Sequence, residues 1–161
     1  MAKDYPYRDK SVVEDRFIYK NFPCVVIFRH LGFRCGYVGI PKTHKDYGKD
    51  FKDLDYDVHG RLMYSEATLF GQEDKDLWWL GFDCGHGDDG TDYEAVEKYF
   101  GNDKDIMRMT EIAKKYDRFD IEPKSKQFCI LECEKLANLL FYADCRTTCL
   151  NKRIIEEDKN S

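Results

Sequence analysis

The sequence predicts an α+β fold: a mostly antiparallel β-sheet with C-terminal helices packed on one face. Three observations predict it. Segments suited to strands fall first along the chain, and segments of helical periodicity fall after them. Residues 22–40 read as a glycine-punctuated hairpin. The composition of the 161 residues, 42% apolar and 15% aromatic, is that of a single globular domain with a real core, covering 1–161.

Residues 11–20 (SVVEDRFIYK) mix apolar and charged side chains and suit an edge strand. Residues 22–29 (FPCVVIFR) form a continuous apolar run suited to a buried strand. His30-Leu31-Gly32 makes the turn into residues 33–40 (FRCGYVGI), whose glycines mark a bulge or a close backbone approach, and Pro41 stops the strand. A long polar loop, PKTHKDYGKDFKDLD, covers 41–55; loops of that length in compact domains are often functional. Val58, Leu62 and Tyr64 suggest a strand broken at Gly60. After the charged turn GQEDKD, residues 77–82 read as a central strand running into the loop DCGHGDDG.

Helices are expected beyond that loop. Asp92 caps YEAVEKYF, which Gly101 closes. Residues 104–117 place Ile106, Met109, Ile112, Ala113 and Tyr116 at helical spacing. Ser125 opens a longer helix to about residue 143, with Phe128, Ile130, Leu131, Leu136, Leu139, Leu140 and Ala143 as its apolar stripe. The charged tail, about 151–161, is expected to fray.

Charge and cysteine content narrow the function classes. The net charge of -5 repels a phosphate backbone, so direct nucleic-acid binding is disfavoured, and an acidic surface suits a basic partner surface. The start, MAKDYPYRDK, has no apolar stretch, so no signal peptide is expected, and no apolar run approaches the roughly 20 residues of a membrane span. Seven cysteines without a C-x-x-C pair fit a cytoplasmic protein with reduced thiols better than a zinc site; Cys129/Cys133 and Cys145/Cys149 are spaced i,i+4.

The residues that carry chemistry lie in two segments. Asp55, Asp57 and His59 alternate onto one face if their segment is a strand; Asp83, Cys84, His86, Asp88 and Asp89 follow the central strand. If the two strand ends meet, His59, Asp83 and His86 could hold a divalent metal or act as acid–base groups. The plainer alternative is that these aspartates cap backbone donors and the histidines bond the main chain. Residues 83–94 fail as a calcium loop, because Gly85 and Gly87 fall on ligand positions and Asp88 on the glycine position. Cys84 and His86, two apart, run parallel on a strand and do not align as nucleophile and base. The loop GHGDDG lacks the spacing of a phosphate cradle, and its acids oppose phosphate. Adjacent Trp78 and Trp79 must face opposite sides of their strand, so one of them is available to a second layer or a partner.

The segments GYVGIPKTHKDYGKDFKDLDYDVHGRLMYS and WWLGFDCGHGDD, with LECEKLANLL further on, resemble a small-protein family widespread in bacteriophage and prophage genomes. The resemblance covers roughly residues 35–90 and 128–140. The family pattern has a second glycine after VHG; here that position is Arg61, which puts a large cation beside the proposed site. The resemblance implies a phage accessory protein that acts by binding, an inhibitor of a host defence component of the anti-CRISPR or another anti-defence kind. Its partner would be a host defence protein or a nucleotide signal in the bacterial cytoplasm. Binding is expected through loops 41–55 and 83–92, with Tyr47, Asp57, Arg61, Trp78, Asp88 and Asp89 as contacts. No cofactor and no membrane are expected on this reading. The alternative is a metal-dependent hydrolase or nuclease acting on a nucleotide or nucleic acid, with His59, Asp83 and His86 as catalytic or metal-binding residues and a divalent metal as cofactor. A virion component is less favoured, since the sequence has no repeat or coiled coil.

Overall fold

The sheet is built outward from hairpins whose turns are visible in the backbone angles. The computed structural model describes residues 10–69, 72–73, 76–118 and 120–159. Strand β1 (Ser11–Tyr19) meets β2 (Phe22–Arg29) through Lys20 and Asn21, with φ of 52° and 65°. Two successive left-handed residues make a hairpin turn whose twist matches that of the strands. Gly32, at φ 94°, turns β2 into β3 (Phe33–Pro41). After a long excursion, β4 (Tyr64–Glu66), the small hairpin β5 (Thr68–Leu69) and β6 (Gln72–Glu73), and β7 (Leu77–Asp83) follow. The main sheet has the order β1-β2-β3-β7-β4, with every neighbouring pair antiparallel. Of the charged turn expected at 71–76, Gln72 and Glu73 form β6, and residues 71, 74 and 75 lie outside the described residues.

Alternation along the strands separates two faces. Cys24, Val26, Val38, Ile40, Leu80 and Phe82 point to one face and join the main core with helix α3 (Lys126–Lys159). Val25, Ile27, Cys35, Tyr37 and Trp79 point to the other, where Leu69 of β5 packs on them. Trp78 packs at the edge of the first cluster and Trp79 is buried in the second, as adjacent strand residues must. Gly81 sits opposite Tyr37 because a Cβ there would stand 2.5 Å from the ring, which lies edge-on to Tyr64 at 5.2 Å.

Helices α1 (Tyr93–Phe100) and α2 (Lys104–Lys114) start on aspartate caps, Asp92 accepting from Ala95 N–H and Asp103 from the N–H groups of Asp105 and Ile106. Val96, Phe100 and Ile106 enclose Phe28, which shares its face of β2 with Cys24 and Val26. All three helices therefore cover the same face. A buried guanidinium anchors the join: Arg34 bonds Glu14 of β1 at 2.6 Å, Asp92 at 2.8 Å and the Lys124 carbonyl at 3.1 Å.

Four expectations need correction. The segment before His59 is not a strand. Gly60 and Arg61 have φ of 64° and 75°, Arg61 N–H turns back to the Val58 carbonyl at 2.9 Å, and the ladder resumes only at β4. The stripe of α3 that meets the sheet is Cys129, Cys133, Leu136, Ala137 and Leu140, whereas Leu131 is 54% exposed. Full burial of Leu136 and Leu140 contributes about 1.5–3 kcal/mol each. The tail does not leave the helix at residue 143: α3 runs through Lys159, about 50 Å for its 34 residues. In α2 only Ile106 and Thr110 are buried; Met109 and Ile112 face solvent, as does Tyr116 in the turn after the helix.

Candidate functional site

Two polar features gather where β7 ends and the 41–63 segment returns to the sheet. The first is a knot of imidazoles and carboxylates. The Asp83 carboxylate accepts from Gly85 N–H at 3.0 Å and turns the chain out of β7. A second turn follows, with Asp89 N–H donating to the His86 carbonyl at 2.9 Å and His86 N–H donating to the Asp89 carboxylate at 3.1 Å. The same carboxylate, 1% exposed, stands 2.9 and 3.0 Å from Nε2 of His59. His59 is held from its other side by Glu132 of α3, which accepts the His59 N–H at 2.9 Å, and its ring meets the edge of Phe128 at 5.2 Å.

The two histidines thus meet, with ring centroids 5.9 Å apart. Nε2 of His86 is buried without a hydrogen bond among the described residues; Asp83 lies 3.5 Å away, an ion-pair distance once the ring is protonated. Gly60 makes room for this ring, since a Cβ at that position would fall 2.1 Å from Nε2. Asp57 and Asp88 stay outside the knot. Asp57 is 92% exposed and lies 3.7 Å from Lys135, and Asp88 faces solvent. Among the described residues no group of three His, Cys, Asp or Glu side chains is arranged to hold a metal ion. As placed, His59, Asp83 and His86 do not form a ligand set. What the knot offers chemically is an imidazole oriented by a buried carboxylate, the arrangement of an acid–base dyad.

Under the knot, Cys84 and Cys129 bring their sulfurs to 3.6 Å. The contact with Cys129, together with burial, pushes the Cys84 thiol far above its ordinary range. Burial likewise holds Cys24 and Cys35 at about 12. These thiols are packing groups rather than nucleophiles.

The second feature is a concavity of about 670 Å³ between the Phe51–Tyr56 segment and Arg61–Met63. It is carried by the loop 41–55, which is firmly braced. His44 is buried with Nε2 2.8 Å from the Leu140 carbonyl, and Lys45 N–H donates to Asp144 of α3 at 3.0 Å. The Asp46 carboxylate, 1% exposed, takes hydrogen bonds from Tyr56, Lys45 and Lys49. Burial would raise its pKa, but these three donors outweigh it and hold the group at about 2. Trp78 donates its Nε1–H to the Lys49 carbonyl at 3.0 Å, and its ring lies 6.1 Å from Tyr47. Both expected aromatic contacts therefore pack on the loop itself and are half-buried.

Arg61 stands at the rim of the concavity. Its side chain is exposed and makes no hydrogen bond or ion pair among the described residues. Phe51, Tyr56 and Met63 supply the apolar walls, and Lys52, Asp53 and Asp55 the polar ones. The resemblance pointed to Arg61, where its pattern has a glycine; Phe128 was expected only as part of the α3 stripe, and Met63 and Glu132 carried no local signal, since they meet the site only through the fold. No family model matches the chain, and comparison with curated proteins and with solved structures finds no match.

Proposed function

We propose that the chain is a phage accessory protein that acts by binding and inhibits a host defence protein, with the Arg61 concavity as its contact face. The observation that carries this reading is Arg61 itself: an unpaired guanidinium, on left-handed backbone at φ 75°, beside half-buried Phe51 and Tyr56 and exposed Met63. A non-glycine residue in that region costs about 1–2 kcal/mol, and such strain concentrates at functional positions. Arginine and tyrosine are the residue types that most often anchor interfaces. The braced 41–55 loop holds the walls rigid, which limits the ordering cost of binding. The phage resemblance supplies the class of partner.

The test is phage plating on bacteria that carry defined defence systems, CRISPR nucleases among them, with and without expression of the chain. Restored plating that is lost with Arg61→Glu, together with capture of the defence protein by the purified wild-type chain, is the expected result. Rescue of no defended host refutes the proposal. Capture of a nucleotide signal instead of a protein replaces the protein partner.

The second reading, the hydrolase or nuclease, draws on the His59–Asp89 dyad and the 5.9 Å separation of the two rings. Hydrolysis of nucleotides or nucleic acid by the purified chain, abolished by His59→Ala and by His86→Ala, would establish it. Equal behaviour of both variants and wild type in every such assay removes it.

A further inference from the structure

We propose that the outer face of α2 is a docking site for an acidic amphipathic segment of a partner protein, independent of the Arg61 concavity. Met109, Ile112 and Tyr116 are spaced i, i+3 and i+7, in one row that runs along α2 into the turn after it, with Asp105 at its start. Their exposures are 42%, 53% and 85%, and Leu31 of the β2–β3 turn is 57% exposed. Leu31 and Met109 flank a cleft of about 140 Å³ floored by Val96, Ile106 and Thr110, of a size to receive one large apolar side chain. A soluble helix normally turns such a row inward; here the inward row is Ile106 and Thr110, and this second row has no cover.

Charge specifies the occupant. Lys104, Arg108 and Lys115, with Glu111 among them, form a parallel row beside the apolar one, and none of the three bases has an ion pair among the described residues. The acids of this region are largely engaged. Glu111 pairs with Lys114, Asp103 pairs with Lys10 and caps α2, and Asp117 receives the Tyr93 hydroxyl; of the acids in residues 103–117 only Asp105, in the first turn, is unpaired. With Glu111 paired, three unpaired bases stand against one unpaired carboxylate along α2 and its C-cap, a local positive excess on a chain of net charge -5. It complements a segment with apolar residues on one side and carboxylates on the other, and it repels a basic one.

The test uses the full chain and defined probes. A designed helical peptide with leucines at i, i+3, i+4 and i+7 and glutamates on its flanks is titrated against the isotope-labelled protein, with amide shifts followed by NMR. A version with lysine for every glutamate and anionic phosphatidylglycerol vesicles are the comparison arms. The expected result is shifts confined to Leu31 and residues 104–116, an affinity weakened roughly tenfold or more by Ile112→Glu and by Tyr116→Ala, and little binding of the lysine peptide. Both side chains are exposed, so the variants keep the fold, which matching thermal unfolding curves verify. Equal binding of the lysine peptide, shifts that map elsewhere, no binding at all, or vesicle binding in preference to the acidic peptide would each overturn the proposal. Because Arg61→Glu leaves this face intact, it is expected to bind the acidic probe like wild type whether or not it inhibits a defence system.

Discussion

Asp89 and His59, 30 residues apart in sequence, are joined by a carboxylate that is 1% exposed and lies 2.9 Å from the imidazole Nε2. The same carboxylate takes the backbone N–H of His86, so one side chain ties the end of β7 to the segment before β4. Removing it leaves two donors without partners in a shielded place, at a cost of about 1–3 kcal/mol each. Asp89→Ala is expected to lose about 2 kcal/mol or more in urea unfolding. Asp88→Ala, at an exposed neighbour, is expected to stay within about 0.5 kcal/mol of wild type. Equal effects of the two substitutions would show that Asp89 is not the tie.

Gly60 lies against His86 so closely that any side chain must displace the ring, and its φ of 64° disfavours a Cβ in any case. Gly60→Ala therefore carries two costs, one of backbone and one of contact, together about 2 kcal/mol or more. Only the contact cost depends on His86. In a double-mutant cycle, His86→Ala is expected to be less harmful in the Gly60→Ala background than in wild type, with a coupling of about 1 kcal/mol. Strict additivity would mean that the ring moves aside freely.

The strands were legible because long apolar runs and alternation are local: FPCVVIFR and LWWLGF show their burial in their own letters. The α3 face was only partly legible. Small side chains, Cys129, Cys133 and Ala137, let the helix approach β3, where a Cβ on Gly36 would stand 2.6 Å from the Cys133 sulfur. Scoring by hydrophobicity prefers Leu131, which points outward. The segment 55–59 looked like a strand because alternation cannot show that the next two residues turn left-handed. His59 and His86 were visible as histidines beside glycines. Glu132, which holds His59 from α3, was not, because its role depends on a contact across 73 residues. The Arg34 cluster was hidden for the same reason: within FRCGYVGI an arginine reads as an ordinary strand residue.

Asp46 makes the 41–55 loop sensitive to acid. Its folded pKa of about 2 lies below the ordinary value of 3.8, so the native state binds its proton less readily than the unfolded chain. The stabilisation is complete above about pH 4 and is lost as pH falls from there towards 2. A shift of that size corresponds to about 2 kcal/mol. Asp46→Asn is expected to be less stable than wild type at pH 7 and to show a shallower loss between pH 4 and 2. Parallel stability profiles for the two proteins over that interval would contradict the ion-paired loop.

Arg61 is where stability and binding should part. Its φ of 75° suits glycine, so Arg61→Gly relieves backbone strain while adding flexibility to the unfolded chain; the net gain is about 1 kcal/mol or less. Arg61→Ala keeps a Cβ and so keeps the strain, while losing the same guanidinium. Urea unfolding is expected to rank the glycine variant above wild type and the alanine variant level with it or below. Under the proposed function both variants are expected to lose inhibition of a defence system, because neither presents a cation over the concavity. An alanine variant stabilised as much as the glycine variant would show that the charge, and not the backbone, is the source of the strain. A glycine variant that still inhibits would remove Arg61 from the contact face.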